Sequence, residues 1–230
     1  MNMMTSKEHL MNLRRISKLF KQPIPYGRFN VTDPAHTTAL EVIPSYECEN
    51  TNRYDFSTFP TGLIKKENSV LQGETIFING LALYPVNEGS TCNYNYNINI
   101  PNVDWEKYQP VRTKCKGSIL KSLFSVNVKD GVDMHFRFVR NKDIAYIELT
   151  DWKNTTRDKY FRYVLETYTS EYASVSSMFG DWQLRDYASL LPSDRDVNLT
   201  FADDMLMLFE WQDDENNTYR WYIAPRITGD

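Results

Sequence analysis

The stretch from Ser118 to Thr150 constrains the fold most, because apolar residues recur there at every second position. Leu120, Ser122, Phe124, Val126 and Val128 share one face, and Lys129-Asp130-Gly131 turns the chain. Val132, Met134, Phe136 and Phe138 then alternate with Asp133, His135 and Arg137, and Ile144 to Leu149 follows a second polar turn. Side chains on a strand point to opposite faces with a period of two, so this pattern predicts a β-meander with one buried face.

Most of the chain reads the same way. Residues 38–46 predict a strand with Pro44 near its end. Residues 74–84 are broken at Asn79-Gly80, a strong hairpin dipeptide. In residues 92–100, Tyr94, Tyr96, Ile98 and Ile100 alternate with Asn93, Asn95, Asn97 and Asn99, a strand whose asparagine face is wet or meets a partner. Residues 157–172 suit a helix or a strand, with a strand favoured over 160–169; a loop with a helical turn is expected over 179–191 before Pro192, and a closing hairpin from 204–211 and 219–225. One helix stands at the front. Thr5 and Glu8 form a Thr-x-x-Glu capping box, and Leu10, Leu13, Ile16 or Ser17, and Phe20 line one face. Arg14, Arg15, Lys18 and Lys21 lie off that face, and Pro23 and Pro25 end the helix.

Eight to ten strands behind one helix predict an all-β fold, an eight-stranded antiparallel jelly-roll sandwich with a short N-terminal amphipathic helix. The expected division is a basic helix and extended arm over 1–30 and the sandwich over 31–230, with no internal repeat. A chain of 230 residues can bury about 70% of its open surface, so it needs no staples. Cys48, Cys92 and Cys115 are odd in number and lack a Cys-x-x-Cys pair, which predicts free thiols in a reducing compartment. Residues 1–15 hold no apolar signal core, and no apolar run is long enough to span a membrane. The four sequons, at Asn30, Asn154, Asn198 and Asn216, read as chance matches.

The net charge of −4 is unevenly spread. Lys7, Arg14, Arg15, Lys18, Lys21 and Arg28 face only Glu8 at the front, whereas acids dominate from Asp181 to Asn217. The split suggests a basic arm with an acidic partner, although on charge alone two ordinary solvated faces are the favoured reading, and the acidic body argues against a whole-domain nucleic-acid binder. The chain is quiet on chemistry. Asp133, His135 and Arg137 share a strand face without a nucleophile, and His9, His36 and His135 are too far apart to hold a metal. Asp203 and Asp204 would face opposite ways on a strand, and Trp182, Trp211 and Trp221 read as core or interface anchors. No catalytic residue, cofactor or metal is therefore expected.

Three segments carry a resemblance. Ser6-Lys-Glu-His-Leu-Met-Asn-Leu-Arg-Arg-Ile-Ser-Lys-Leu-Phe20, through Glu8, Leu13, Arg14 and Ile16, resembles the segment before the jelly roll in capsid proteins of picorna-like viruses. Lys116-Gly117-Ser118 is similar to that family's Arg-Gly-Ser strand opening, and Ala202-Asp203-Asp204-Met205 with Tyr222-Ile-Ala-Pro225 to its closing strands. Ser6 stands where the family has glycine, and Met205 where it has phenylalanine. The resemblance implies a non-enzymatic subunit of an icosahedral shell, located in the virion and, during assembly, in the host cytoplasm. Its implied partners are sister capsid proteins and, through the basic arm, genomic RNA. The implied interaction residues are Arg14, Arg15, Lys18 and Lys21 on the arm and Asp203 and Asp204 near the end. The alternatives are a ligand- or carbohydrate-binding β-barrel or sandwich, with Tyr94, Tyr96 or the tryptophans in its pocket, and a hydrolase using Asp203 or Asp204.

Overall fold

The front helix forms where its apolar spacing predicts, as α1 (Lys7–Phe20), in a computed structural model that describes residues 3–48, 50–66, 68–86, 102–125, 133–151 and 161–226. His9, Leu10, Leu13, Ile16, Ser17 and Phe20 face inward. The cap is Ser6 and not Thr5: the Ser6 hydroxyl accepts from the His9 amide at 3.1 Å, while the Thr5 hydroxyl donates to Glu215 at 2.8 Å. Serine is the better cap of the two, and the long-range tie of Thr5 removes the competitor. Lys21, left-handed at φ 54°, closes the helix by donating its amide to the Ser17 carbonyl.

The chain forms two compact units. The first comprises Met1–Pro34, Leu40–Ile100 and Gln212–Tyr219. Its elements are β1 (Met3–Thr5), α1, β2 (Ile24–Pro25), β3 (Phe29–Thr32), β4 (Thr38–Ile43, beside β3), β5 (Arg53–Tyr54), α2 (Thr61–Ile64), β6 (Ser69–Gln72), β7 (Thr75–Ile78) and β8 (Leu81–Leu83). β1, β6, β7 and β8 make one antiparallel sheet in that order, and β2 pairs with β5. Asn79 (φ 54°) and Gly80 (φ 75°) turn β7 into β8 with both central residues left-handed, as the dipeptide predicts.

The second unit comprises Ala35–Ala39, Pro101–Trp211 and Arg220–Asp230. It contains β9 (Val111–Lys116), α3 (Gly117–Phe124), β10 (Asp133–Asn141), β11 (Ile144–Asp151), β12 (Phe161–Val164), β13 (Tyr168–Thr169), β14 (Ser174–Gly180), α4 (Asp181–Tyr187), β15 (Asp196–Phe201), β16 (Met207–Gln212) and β17 (Thr218–Ile223). One sheet runs β12-β11-β10-β14, and the other places β13, β9, β15, β16 and β17 side by side. The predicted alternation holds in β10, where Met134, Phe136 and Phe138 are buried. The core closes with Phe209 stacked on Trp221 at 4.9 Å and Phe124 set edge-on to both.

Both units repeat one topology. In each, the strand before the first helix pairs with the strand after the second, β1 with β6 and β9 with β15. The strand after the first helix pairs with the strand before the second, β2 with β5 and β10 with β14. Each unit then ends in a three-strand meander. The sequence carries no matching repeat, so the repeat lies in the topology alone.

The expectation of a single all-β jelly roll is corrected: this is a mixed α/β fold, with four helices and several small sheets among the described residues. The error starts at residues 118–124, read as strand. Leu120, Leu123 and Phe124 also satisfy helical spacing, and α3 buries them while Ser118 and Ser122 are exposed. Val126, Val128, the turn at Lys129-Asp130-Gly131, Val132, Cys92 and the strand expected over 92–100 lie outside the described residues. The strand expected over 160–169 is found as two short ones, β12 and β13, and the helical turn before Pro192 is α4.

Gly117 starts α3 under a tight constraint. A Cβ there would sit 1.9 Å from the Pro192 carbonyl oxygen. Gly117→Ala is therefore expected to cost about 2 kcal/mol or more through backbone displacement, measured as a lower denaturant midpoint with an unchanged slope.

Candidate functional site

Helix α1 buries one side and leaves a cationic stripe on the other. At 100° per residue, Lys7, Arg14 and Lys18 fall within about 40° of one another, away from the buried face, and Lys21 follows at the C-cap. Lys7, Lys18 and Lys21 are exposed, and Arg14 is half-buried, its Nε donating to the Phe59 carbonyl at 2.7 Å. Arg15 lies to one side, reaching Asn12 at 3.4 Å, and burial lowers its pKa. Lys65 and Lys66, exposed after α2, add cations in the same unit. The sequence reading missed them because α2 is only one turn long.

Helices α3 and α4 of the second unit carry one cation each, Lys121 and Arg185. Lys121 on α3 donates to the Ser193 hydroxyl at 2.8 Å. Arg185 on α4 is held by Asp181 at 3.1 Å and Asp186 at 3.2 Å.

Asp203 and Asp204 sit in a turn of the second unit and not on a strand. The Asp203 carboxylate accepts from the Ser176 amide at 2.9 Å, and the Asp204 amide donates to the Ser176 carbonyl at 3.0 Å. The pair thus satisfies the outer edge of β14, a structural job of the kind that blunts an exposed sheet edge. Of the charged groups singled out in the sequence, the four on the arm share one helix, and the two aspartates belong to this turn. His135 lies half-buried beside Arg137, and burial lowers its pKa. Arg137 and Arg162 both pair with the buried Glu148, at 3.2 and 3.1 Å. Trp211 and Trp221 are core residues, and Cys48 and Cys115 are free. Among the described residues no group of His, Cys, Asp and Glu could hold a metal ion.

Several strands end their sheets among the described residues, β8 and β12 among them. No described strand pairs with the outer side of β8 or of β12, and neither strand has a fully buried residue. Leu81 on β8 is 51% exposed and Val164 on β12 is 56% exposed. Tyr84 and Val86 extend the apolar surface beyond β8. Open edges bearing apolar side chains are templates for pairing with another chain.

The acidic turn of residues 212–217 meets the start of α1. Glu215 binds Thr5, Asp214 binds the Ser6 hydroxyl at 2.7 Å, and the Asp214 amide donates to Glu8 at 3.0 Å. Beneath them, Asp213 is buried against His9 Nδ1 (3.3 Å), Tyr219 (2.9 Å) and Asn217 (2.9 Å). Burial alone would raise its pKa, but hydrogen bonds from His9, Asn217 and Tyr219 outweigh it and hold the pKa below the ordinary 3.8. A depressed carboxylate pKa gives stability that is present above the unfolded value and lost as pH falls through the folded one. Denaturant midpoints measured from pH 6 downward should fall below about pH 4. Asp213→Asn should be less stable at pH 6 and flatter against pH.

No protein-family model matches this chain, and no curated protein does. Solved structures do. PCNA from Thermococcus kodakaraensis is similar at 16% identity and TM-score 0.71, over 98% of this chain and 99% of that one. The PCNA2–PCNA3 complex from Sulfolobus tokodaii gives 14% identity and TM-score 0.69, again over 98% and 99%. A. fulgidus PCNA, with the C-terminal region of FEN-1 bound, gives 12% identity and TM-score 0.71 over 100% of this chain and 99% of that one. The chain has the PCNA fold. The capsid expectation is thereby corrected, because a PCNA-like topology over the full length leaves no room for a jelly roll. The expected shell, sister capsid proteins, genomic RNA and virion location fall with it, and so does the carbohydrate-binding alternative. The three resembling segments share turn and cap residues with capsid proteins, and such residues recur wherever strands meet helices.

Proposed function

We propose that this chain is a non-catalytic subunit of a DNA sliding clamp. Copies join edge to edge, β8 of one to β12 of the next, and the closed ring encloses duplex DNA. The observation that carries the reading is the match to PCNA structures along the whole chain, in proteins that include a PCNA2–PCNA3 complex. The exposed apolar residues on the outer edges of β8 and β12 support it, since a head-to-tail contact between unlike surfaces closes into a ring when its rotation permits. The stripe of Lys7, Arg14, Lys18 and Lys21 supports it too, supplying phosphate contacts that read no sequence and so allow sliding. The A. fulgidus structure, with a terminal segment of FEN-1 bound, supports a second role as a platform for partner proteins.

The test is topological. Rings assembled and cross-linked in the presence of a nicked circular plasmid should stay on the circle in high salt and be lost after the plasmid is cut. Equal loss from circle and line would contradict enclosure.

A further inference from the structure

One face of the sheet β12-β11-β10-β14 carries a row of alternating charge that stops at the outer edge of β12. Arg137 on β10 lies directly opposite Glu148 on β11, and Glu148 directly opposite Arg162 on β12. Each step is an ion pair, Arg137 to Glu148 at 3.2 Å and Arg162 to Glu148 at 3.1 Å. The Glu148 side chain is 4% exposed, whereas that of Arg162 is 53% exposed. On the inner side the row ends at the neutral Ser176 of β14, opposite Arg137. One carboxylate thus serves two guanidinium groups, and the row keeps a net positive charge.

Arg162 is held in place. Its guanidinium lies over the Tyr146 ring at 4.1 Å while it binds Glu148. Among the described residues Glu148 is its one acceptor, and a guanidinium carries five N–H donors in a planar fork. Beside the charged row runs an apolar one, Val139, Tyr146 and Val164, in the same register. The two rows reach the outer edge of β12 at Arg162 and Val164, and strand residues two apart share a face. Opposite charges directly across a sheet attract and like charges repel, so a strand added here is selected by what it sets against Arg162. The chain's own β8 supplies leucine for the apolar row. Residues 79–86, Asn-Gly-Leu-Ala-Leu-Tyr-Pro-Val, contain no acid. An identical copy therefore docks without a carboxylate for Arg162.

We infer that Arg162 is the residue by which β12 selects its partner. The strand it favours belongs to a non-identical chain, with Asp or Glu opposite Arg162 and an apolar residue two positions away, opposite Val164. The inference rests on the proposed junction at β12 and adds the chemistry of the partner. Copies of this chain still meet through Leu81 and Leu83, and an acid-bearing strand competes with them for the same edge.

The test uses the full chain with Leu81→Lys, which keeps its own β8 off the β12 edge of other copies, and labelled peptides of residues 79–86. The peptides carry Leu81→Glu, Ala82→Glu or Leu83→Glu, each compared with glutamine at the same position. By fluorescence anisotropy, the glutamate peptide that falls opposite Arg162 should bind about 2- to 5-fold more tightly than its glutamine counterpart. That advantage should vanish with Arg162→Gln, persist in part with Arg162→Lys, and shrink as salt rises. Peptides that bind with no glutamate advantage at any position would overturn the selection and leave the junction standing. Failure of every peptide to bind, the unaltered one included, would remove the junction and the inference together. Should Arg162→Gln fail to fold, the salt series decides, and an advantage indifferent to salt would overturn the ion pair.

Discussion

Leu81→Lys should reduce the assembly to single 27.0 kDa chains while leaving the fold intact. Leu81 lies at the outer edge of β8, half-exposed in the isolated chain, so lysine there costs the monomer little. In an edge-to-edge ring the same position is covered by the neighbour. An ammonium group buried there without a partner costs about 3 kcal/mol, which weakens each contact roughly 100-fold. In the proposed ring every copy contributes a β8 edge, so the loss applies at every junction. Val164→Asp on β12 should do the same from the other side, since Val164 is the exposed apolar residue of that strand. Sizing by light scattering, with circular dichroism to show an unchanged fold, reads both. Assemblies of wild-type size with both substitutions would show that copies meet elsewhere.

Neutralising Lys7, Lys18 and Lys21 together as glutamines should weaken DNA binding at least 10-fold at low salt. It should also flatten the dependence of log affinity on log salt by about 2.7, since each phosphate contact contributes about 0.9. These three positions are exposed and outside the core, so the effect is on binding and not on folding. Lys7 even opposes the helix dipole at the N-terminus, so its replacement should slightly stabilise α1. Arg185→Gln is the control. That guanidinium is already matched by Asp181 and Asp186, and its loss should hardly change the slope. Equal effects from the two variants, read by fluorescence anisotropy across a salt series, would remove α1 as the DNA-facing helix.

Much of the secondary structure was legible because its signals are local. The spacing of Leu10, Leu13, Ile16 and Phe20 identifies α1, and Asn79-Gly80 marks the β7–β8 turn through the left-handed angles both residues adopt. Met134, Phe136 and Phe138 identify β10 in the same way. Helix α3 was not legible, because Leu120 and Phe124 fit a period of two as well as helical spacing, and seven or eight residues cannot separate them. The repeat of strand, helix and meander was hidden because topology is fixed by which strands pair, and pairing leaves no identity between β1 and β9. The cationic stripe was visible in the sequence, but its partner was not, since lysines meet RNA, DNA and acidic protein by the same physics. The open edges were invisible, because exposure of Leu81 and Val164 depends on where each sheet ends.

Electron microscopy of the purified chain at micromolar concentration tests ring closure, on which enclosure of DNA depends, most directly. Closed flat rings of a few copies around an opening wide enough for a duplex are the expected result. Solitary chains, open filaments or spherical shells would contradict it.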